Sequence, residues 1–163
     1  EASRLEHALG DERRETIDLV ALLQELADAY THSFNNTCFE IMTDNTAAPA
    51  RVAPDLIVQA FDKLVANAVS FATPDTPVVL GCVRRGLWWR LSVANSGPTL
   101  PADISDLFAP MQSMRAHHNR EHGHLGLGLY VVSLIARQHG GEPWARNTNH
   151  PAGAEVGFTV RAD

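Results

Sequence analysis

The sequence predicts an α+β fold, a two-layer α/β sandwich whose mixed sheet is covered on one face by helices. Three observations predict it. Apolar residues recur at helical spacing in separated stretches, most clearly over 18–31, over 54–71 and after Leu127. Between and after these lie runs that alternate apolar and polar residues, as half-buried strands do. The pieces come in the order helix, strand, strand, helix, hairpin, loop, helix, hairpin.

At 163 residues the chain is the size of one domain and long enough to bury a core without metal or disulfides. It is 45% hydrophobic and 20% charged, an ordinary globular composition. A net charge of -6 argues against nucleic acid as a partner, which calls for a basic face. Cys38 and Cys82 form no CxxC and sit in apolar runs, so both read as buried free thiols in a reducing compartment. No run of about 18 apolar residues is present to span a membrane. No signal-peptide pattern opens the chain. It starts on Glu1 rather than methionine, as an excised piece of a longer protein would.

Taken in order, residues 1–9 are charged and helix-friendly, with a thin stripe of Leu5 and Leu9; Gly10 ends them and 11–15 read as a charged linker. Asp18 is placed to N-cap a helix to about Thr31, with Ile17 and Leu22 as a hydrophobic staple and Leu19, Leu22, Leu23, Leu26 and Tyr30 as its buried stripe. Residues 37–42 read as a strand, and Arg51-Val52 as a short strand beside it. Pro54 opens a helix to Phe71 that buries Ile57, Phe61, Leu64, Val65 and Ala68. Residues 78–83 and 87–94 alternate about an Arg85-Gly86 turn and form a hairpin in which Trp88 and Trp89 pack the sheet. Residues 100–123 lose strong periodicity; Leu107-Phe108 anchors a single helical turn over 104–108. After the helix that follows, 142–146 and 154–161 form the last strands.

Two places carry chemistry. Gly126-Leu127-Gly128-Leu129 opens an apolar helix whose face holds Leu127, Tyr130, Val131, Leu134 and Ile135, and Gly140 or Gly141 supplies its left-handed cap. A glycine-rich turn at a helix start leaves N–H groups and the positive dipole end free for an anion, most naturally phosphate. The alternative is a tight loop-to-helix joint with no ligand. Asn67 stands mid-helix, where asparagine is a poor helix former, at the edge of the buried face. Lys63 lies one turn before it and Ser70 and Phe71 one turn after. On this helix alone, an amide bonding a neighbouring loop is the simpler reading.

Asn67 on a helix, Asn95-Ser96-Gly97-Pro98 after a strand and Gly126-Leu127-Gly128-Leu129 before a helix now stand in order, with a long loop between the last two. Together they resemble the ATP-binding catalytic domain of bacterial sensor histidine kinases. That family has the Bergerat fold, shared with DNA gyrase, a class of heat-shock chaperones and the mismatch-repair ATPases. The resemblance covers roughly Asp18 to Arg161. It implies residues 1–15 as the end of a dimerisation and phosphoacceptor helix with its linker, and 16–163 as the catalytic domain with a lid at about 99–125.

The resemblance also implies roles. Asn67 matches the asparagine that ligates Mg²⁺ on the phosphates of ATP, flanked by Lys63 and Phe71 along the nucleotide. Asn95 matches the acidic residue that accepts from the adenine amino group, and Gly97 lets the backbone lie close to the base. Phe108 matches the phenylalanine anchoring the lid, from which Arg115 or Arg120 reaches phosphate. Gly126, Leu127, Gly128 and Leu129 meet the triphosphate.

The sequence departs from the family pattern at Asn95, an amide where an aspartate is usual, at Thr99 and His124 in place of glycines, at Lys63 and at Ser70. His117, His118, His122 and His124 cluster, but without a cysteine they argue little for zinc, and the family has no metal ligands there.

The implied reaction transfers the γ-phosphate to a histidine upstream of Glu1. The implied partners are the chain's own dimerisation domain and a response regulator. The implied setting is a homodimeric inner-membrane sensor with this domain in the cytoplasm, touching no membrane itself. The rivals are a degenerate interaction module of the same fold, motivated by Asn95, Thr99 and Lys63, and an anti-sigma-factor serine kinase, disfavoured by the helical residues 1–9. Gyrase, chaperone and repair ATPases are further off, since Lys63 stands where they carry an acidic base.

Overall fold

A computed structural model describes residues 13–101, 106–110 and 127–163. The expected helix at 1–9, Ile104, the histidine cluster and most of 99–125 lie outside the described residues. The elements are β1 (Glu15–Asp18), α1 (Leu19–Ser33), β2 (Phe39–Thr43), β3 (Pro49–Val52), α2 (Pro54–Phe71), β4 (Val78–Arg85), β5 (Trp88–Ser96), α3 (Leu127–Gln138), β6 (Pro143–Thr148) and β7 (Gly153–Arg161). The main sheet runs β2-β4-β5-β7-β6. Its β2–β4 pair is parallel and its other pairs are antiparallel, so the sheet is mixed as expected.

Asp18 organises the start of the chain. Its Oδ1 accepts from Val20 N (3.0 Å), capping α1, and from Ala48 N (2.8 Å). One carboxylate thus fixes both the helix start and the loop before β3. That clamp brings β3 against β1 in a separate two-stranded antiparallel sheet, Glu15 opposite Val52 and Asp18 opposite Pro49. The expectation that Arg51-Val52 lies beside the 37–42 strand is therefore corrected, and Glu15, read as linker, belongs to a strand.

The helices bury the faces their periodicity predicts. Leu19, Leu23, Leu26 and Tyr30 of α1 and Ile57, Phe61, Leu64, Val65 and Ala68 of α2 are buried. Tyr30 Oη donates to Asp62 Oδ1 (2.7 Å), tying α1 to α2, and burial pushes its phenol pKa upward. Helix α3 is buried all round from Leu129 to Ala136, which suits a run apolar but for Ser133, whose Oγ donates to Tyr130 O. Gly140 (φ +74°) ends it in the left-handed conformation. Gly141 N donates to Ala136 O (2.9 Å) and Gly140 N to Arg137 O (3.0 Å), the paired bonds of a Schellman cap.

Trp89 is buried and its Nε1 donates to Pro49 O (3.0 Å), joining the two sheets; Trp88 lies under the Arg161 guanidinium. Cys82 is buried, and burial above all, with Asp18 and Asp44 nearby, pushes its thiol up to about 12. Cys38 is a free thiol too but exposed, a correction. Strand alternation explains it: Phe39 and Ile41 turn inward, which leaves Cys38, like Glu40 and Met42, on the outer face.

His139, just past α3, is buried between two backbone groups. Its Nε2 accepts from Ala53 N (3.0 Å), so its Nδ1 carries the proton and faces Ile135 O (2.8 Å). Burial holds its pKa below the ordinary 6.5. The folded state therefore binds fewer protons than the unfolded chain just below that value, and stability falls as pH drops from there toward the folded pKa. Urea unfolding at a series of pH values should show this loss. His139→Leu leaves the Ala53 N–H unpaired, costing roughly 1–3 kcal/mol at neutral pH, and flattens the acid limb.

Candidate functional site

One stripe of α2 collects the candidate residues. Lys63, Asn67 and Phe71 follow one another at four-residue spacing and line one side of the helix over about 12 Å. Lys63 is exposed; Asn67 and Phe71 are half-buried. Among the described residues the Asn67 amide makes no hydrogen bond, so the simpler reading, an amide holding a neighbouring loop, finds no partner there.

At the Lys63 end stands the start of α3. A Cβ added to Gly128 would lie 3.5 Å from Lys63 Cδ and 3.7 Å from its Cβ, so the lysine stem packs along the glycine. Leu127 is the first described residue of α3, and the start of a helix carries the positive end of its dipole. Leu129 is buried and roots this turn in the core.

At the Phe71 end stands the loop leaving β5. Gly97 has φ +149°, and a Cβ there would meet Phe71 O at 2.4 Å, so only glycine lets this loop close on α2. Thr73 N donates to Ser96 O (2.8 Å) and Gly97 N to Ala152 O (3.0 Å). Asn95, opposite Val78 of β4 and Ala154 of β7, is buried; its Nδ2 donates to Ser96 O (3.3 Å), leaving Oδ1 as acceptor.

Lys63, Asn67, Phe71, Asn95, Gly97, Gly128 and the start of α3 thus share one side of the molecule. Phe108 is half-buried against the core beside buried Leu107, in a turn closed by Ala109 N to Asp106 O (3.1 Å), in keeping with an apolar anchor. Arg115, Arg120 and Gly126 lie outside the described residues, and of Leu127 only its place as the first residue of α3 is described. Sequence reasoning missed Ala152 and Asn147, whose partners Gly97 and Leu100 lie far along the chain; no local pattern marks either. Among the described residues, no group of three or more His, Cys, Asp or Glu side chains is placed to hold a metal.

Two substitutions separate scaffold from site by urea unfolding. Gly97→Ala forces a strained φ against Phe71 O and should destabilise by roughly 1–3 kcal/mol. Asn67→Ala removes a poor helix former that holds nothing described, and should leave stability unchanged or raise it by up to about 0.7 kcal/mol.

A profile of the family described as histidine kinase-, DNA gyrase B-, and HSP90-like ATPase matches residues 52–163. A bacteriophytochrome of Pseudomonas aeruginosa is 30% identical over 125 residues, 76% of this chain and 17% of that protein. Sensor protein PfeS of the same species is 28% identical over 166 residues, 88% of this chain and 36% of that protein. The chain therefore spans well under half of either relative. Among solved structures, a nucleotide-free catalytic domain of histidine kinase ThkA superposes with a TM-score of 0.78 at 24% identity, covering 91% of this chain and 95% of that one. ThkA has also been solved in complex with response regulator protein TrrA, with a TM-score of 0.74 at 23% identity, covering 92% of this chain and 42% of that one. The chain belongs to the histidine kinase-, DNA gyrase B- and HSP90-like ATPase family, and its fold is that of a histidine kinase catalytic domain.

Proposed function

We propose that this domain binds Mg-ATP along the Lys63–Asn67–Phe71 stripe of α2 and serves as the kinase module of a two-component sensor. The observation that carries the reading is Asn67 itself: a mid-helix amide with no described partner, midway between the Lys63–Gly128 contact and the Phe71–Gly97 contact. Asn95 Oδ1 accepts from the adenine amino group at one end, where Gly97 lets the backbone approach the base. At the other end the N–H groups around Gly126, Leu127, Gly128 and Leu129 receive the phosphates, and Lys63 adds its charge. Phe108 anchors the lid, and Arg115 or Arg120 reaches phosphate from it.

The residues fit a magnesium ion bound through the nucleotide. This cation takes oxygen ligands and keeps waters, so one amide oxygen from Asn67 with phosphate oxygens suffices, and no carboxylate cage is needed. When bound, the ion neutralises phosphate charge; the protein orients the triphosphate and offers fixed donors, and positioning is most of what phosphoryl transfer asks.

The acceptor is a histidine on a dimerisation domain outside this chain, and the phosphorylated product passes to a response regulator, as the pairing of ThkA with TrrA suggests by analogy. The full protein is then a homodimeric inner-membrane sensor with this domain on the cytoplasmic side. Among the described residues no helix is long and apolar enough to cross a membrane.

Titration calorimetry with a non-hydrolysable ATP analogue, with and without Mg²⁺, tests this on the chain and on Asn67→Ala. Micromolar-range binding that needs magnesium and is lost in the variant is expected. No heat and no thermal shift at millimolar nucleotide overturns the reading. Labelled ATP should leave no phosphate on any histidine of this chain alone.

A further inference from the structure

We propose that Asn147 is a positioning residue for the base end of this nucleotide site, acting through Leu100; the inference rests on the nucleotide reading above. Register places it. Asn95 pairs with Ala154, and Ala154 pairs with Asn147, so the three residues form one row across β5, β7 and β6. Residues directly opposite share a face, and strands lie about 4.8 Å apart, so Asn147 stands about 10 Å from Asn95 on the same face. Only the small Ala154 lies between them.

Strand β6 is the edge of the sheet, and there the Asn147 side chain reaches the backbone of the segment that leaves β5. Its Oδ1 accepts from Leu100 N (2.6 Å) and its Nδ2 donates to Leu100 O (3.3 Å). A single side chain thus satisfies both backbone groups of one residue, and Leu100 packs against the core beneath. Upstream, Gly97 N is held by Ala152 O (3.0 Å). Between these anchors Pro98 has no N–H to give, and among the described residues Thr99 makes no backbone hydrogen bond. The segment that leaves Asn95 is therefore held at Ser96 by Thr73 N, at Gly97 by Ala152 and at Leu100 by Asn147. Leu100 lies three residues past Gly97, which stands beside Asn95. The phosphate end is held independently, by the packing of Lys63 on Gly128.

The two ends can be separated by ligand. Competition against a fluorescent ATP analogue gives affinities for ATP, adenosine and tripolyphosphate on the unaltered chain, Asn147→Ala and Asn147→Asp, with a melting temperature for each. Asn147→Ala should weaken ATP and adenosine by about tenfold, the scale of one net hydrogen bond. Tripolyphosphate affinity should not move, because the side chain's partners lie at the base end, while the melting temperature should fall slightly, since the same bonds hold the ligand-free fold. Asn147→Asp keeps an acceptor for Leu100 N and should recover part of the loss. Equal ATP and adenosine affinities in Asn147→Ala and the unaltered chain overturn the inference. A matching loss for tripolyphosphate overturns it as well, as general loosening. An unaltered chain that fails to bind ATP overturns the nucleotide reading and this inference with it.

Discussion

The burial of one face of α2 is the constraint on which the rest of the structure depends. Ile57, Phe61, Leu64, Val65 and Ala68 are sealed against the sheet, and Phe61 meets Phe158 of β7 edge-on with ring centroids 6.0 Å apart. Because a helix fixes the relative directions of its Cα–Cβ bonds, sealing that face fixes the side from which Lys63, Asn67 and Phe71 project. Two further segments are then gauged against this stripe: α3 through Gly128, and the β5 exit loop through Gly97.

Helix α3 is attached to α2 at both ends. Its start rests on Lys63, while beyond its end His139 accepts from the backbone of Ala53, just before α2 begins. Arg14 donates to the Gln138 carbonyl, placing a cation at the negative end of the helix dipole. A helix buried all round from Leu129 to Ala136 has little solvent face to set its rotation, and these polar contacts at its ends help to fix its orientation.

On the face of the sheet away from the helices, the charged groups are largely matched within the domain. The Glu155 carboxylate, buried, accepts from Ser92 Oγ and Arg146 Nε (both 2.7 Å), and the Arg90 guanidinium lies 3.9 Å from the Trp144 ring centroid. Burying a carboxylate without such partners is costly, and Ser92 and Arg146 come from the strands on either side of it. This network braces β7 between β5 and β6, the three strands whose ends frame Asn95, Ala152 and Asn147.

The sequence by itself determined the elements and most of the core. The periodicity of α1 and α2, the cap at Asp18, the alternation of β4, β5 and β7 and the glycine stop after α3 are short-range patterns that few other local structures satisfy. The order of Asn67, Asn95–Pro98 and Gly126–Leu129 was enough to point to the family. Tertiary structure decided what touches what. The pairing of Glu15–Asp18 with Pro49–Val52 turns on one carboxylate reaching Ala48, and two four-residue strands carry too little pattern to announce it. Cys38 sits in an apolar run, yet strand parity turned it outward. Asn147 and Leu100 have nothing in common locally; they meet because the register of β5, β7 and β6 sets Asn95, Ala154 and Asn147 in one row. Periodicity is encoded residue by residue, whereas a contact between distant segments exists only once the whole sheet has chosen its register.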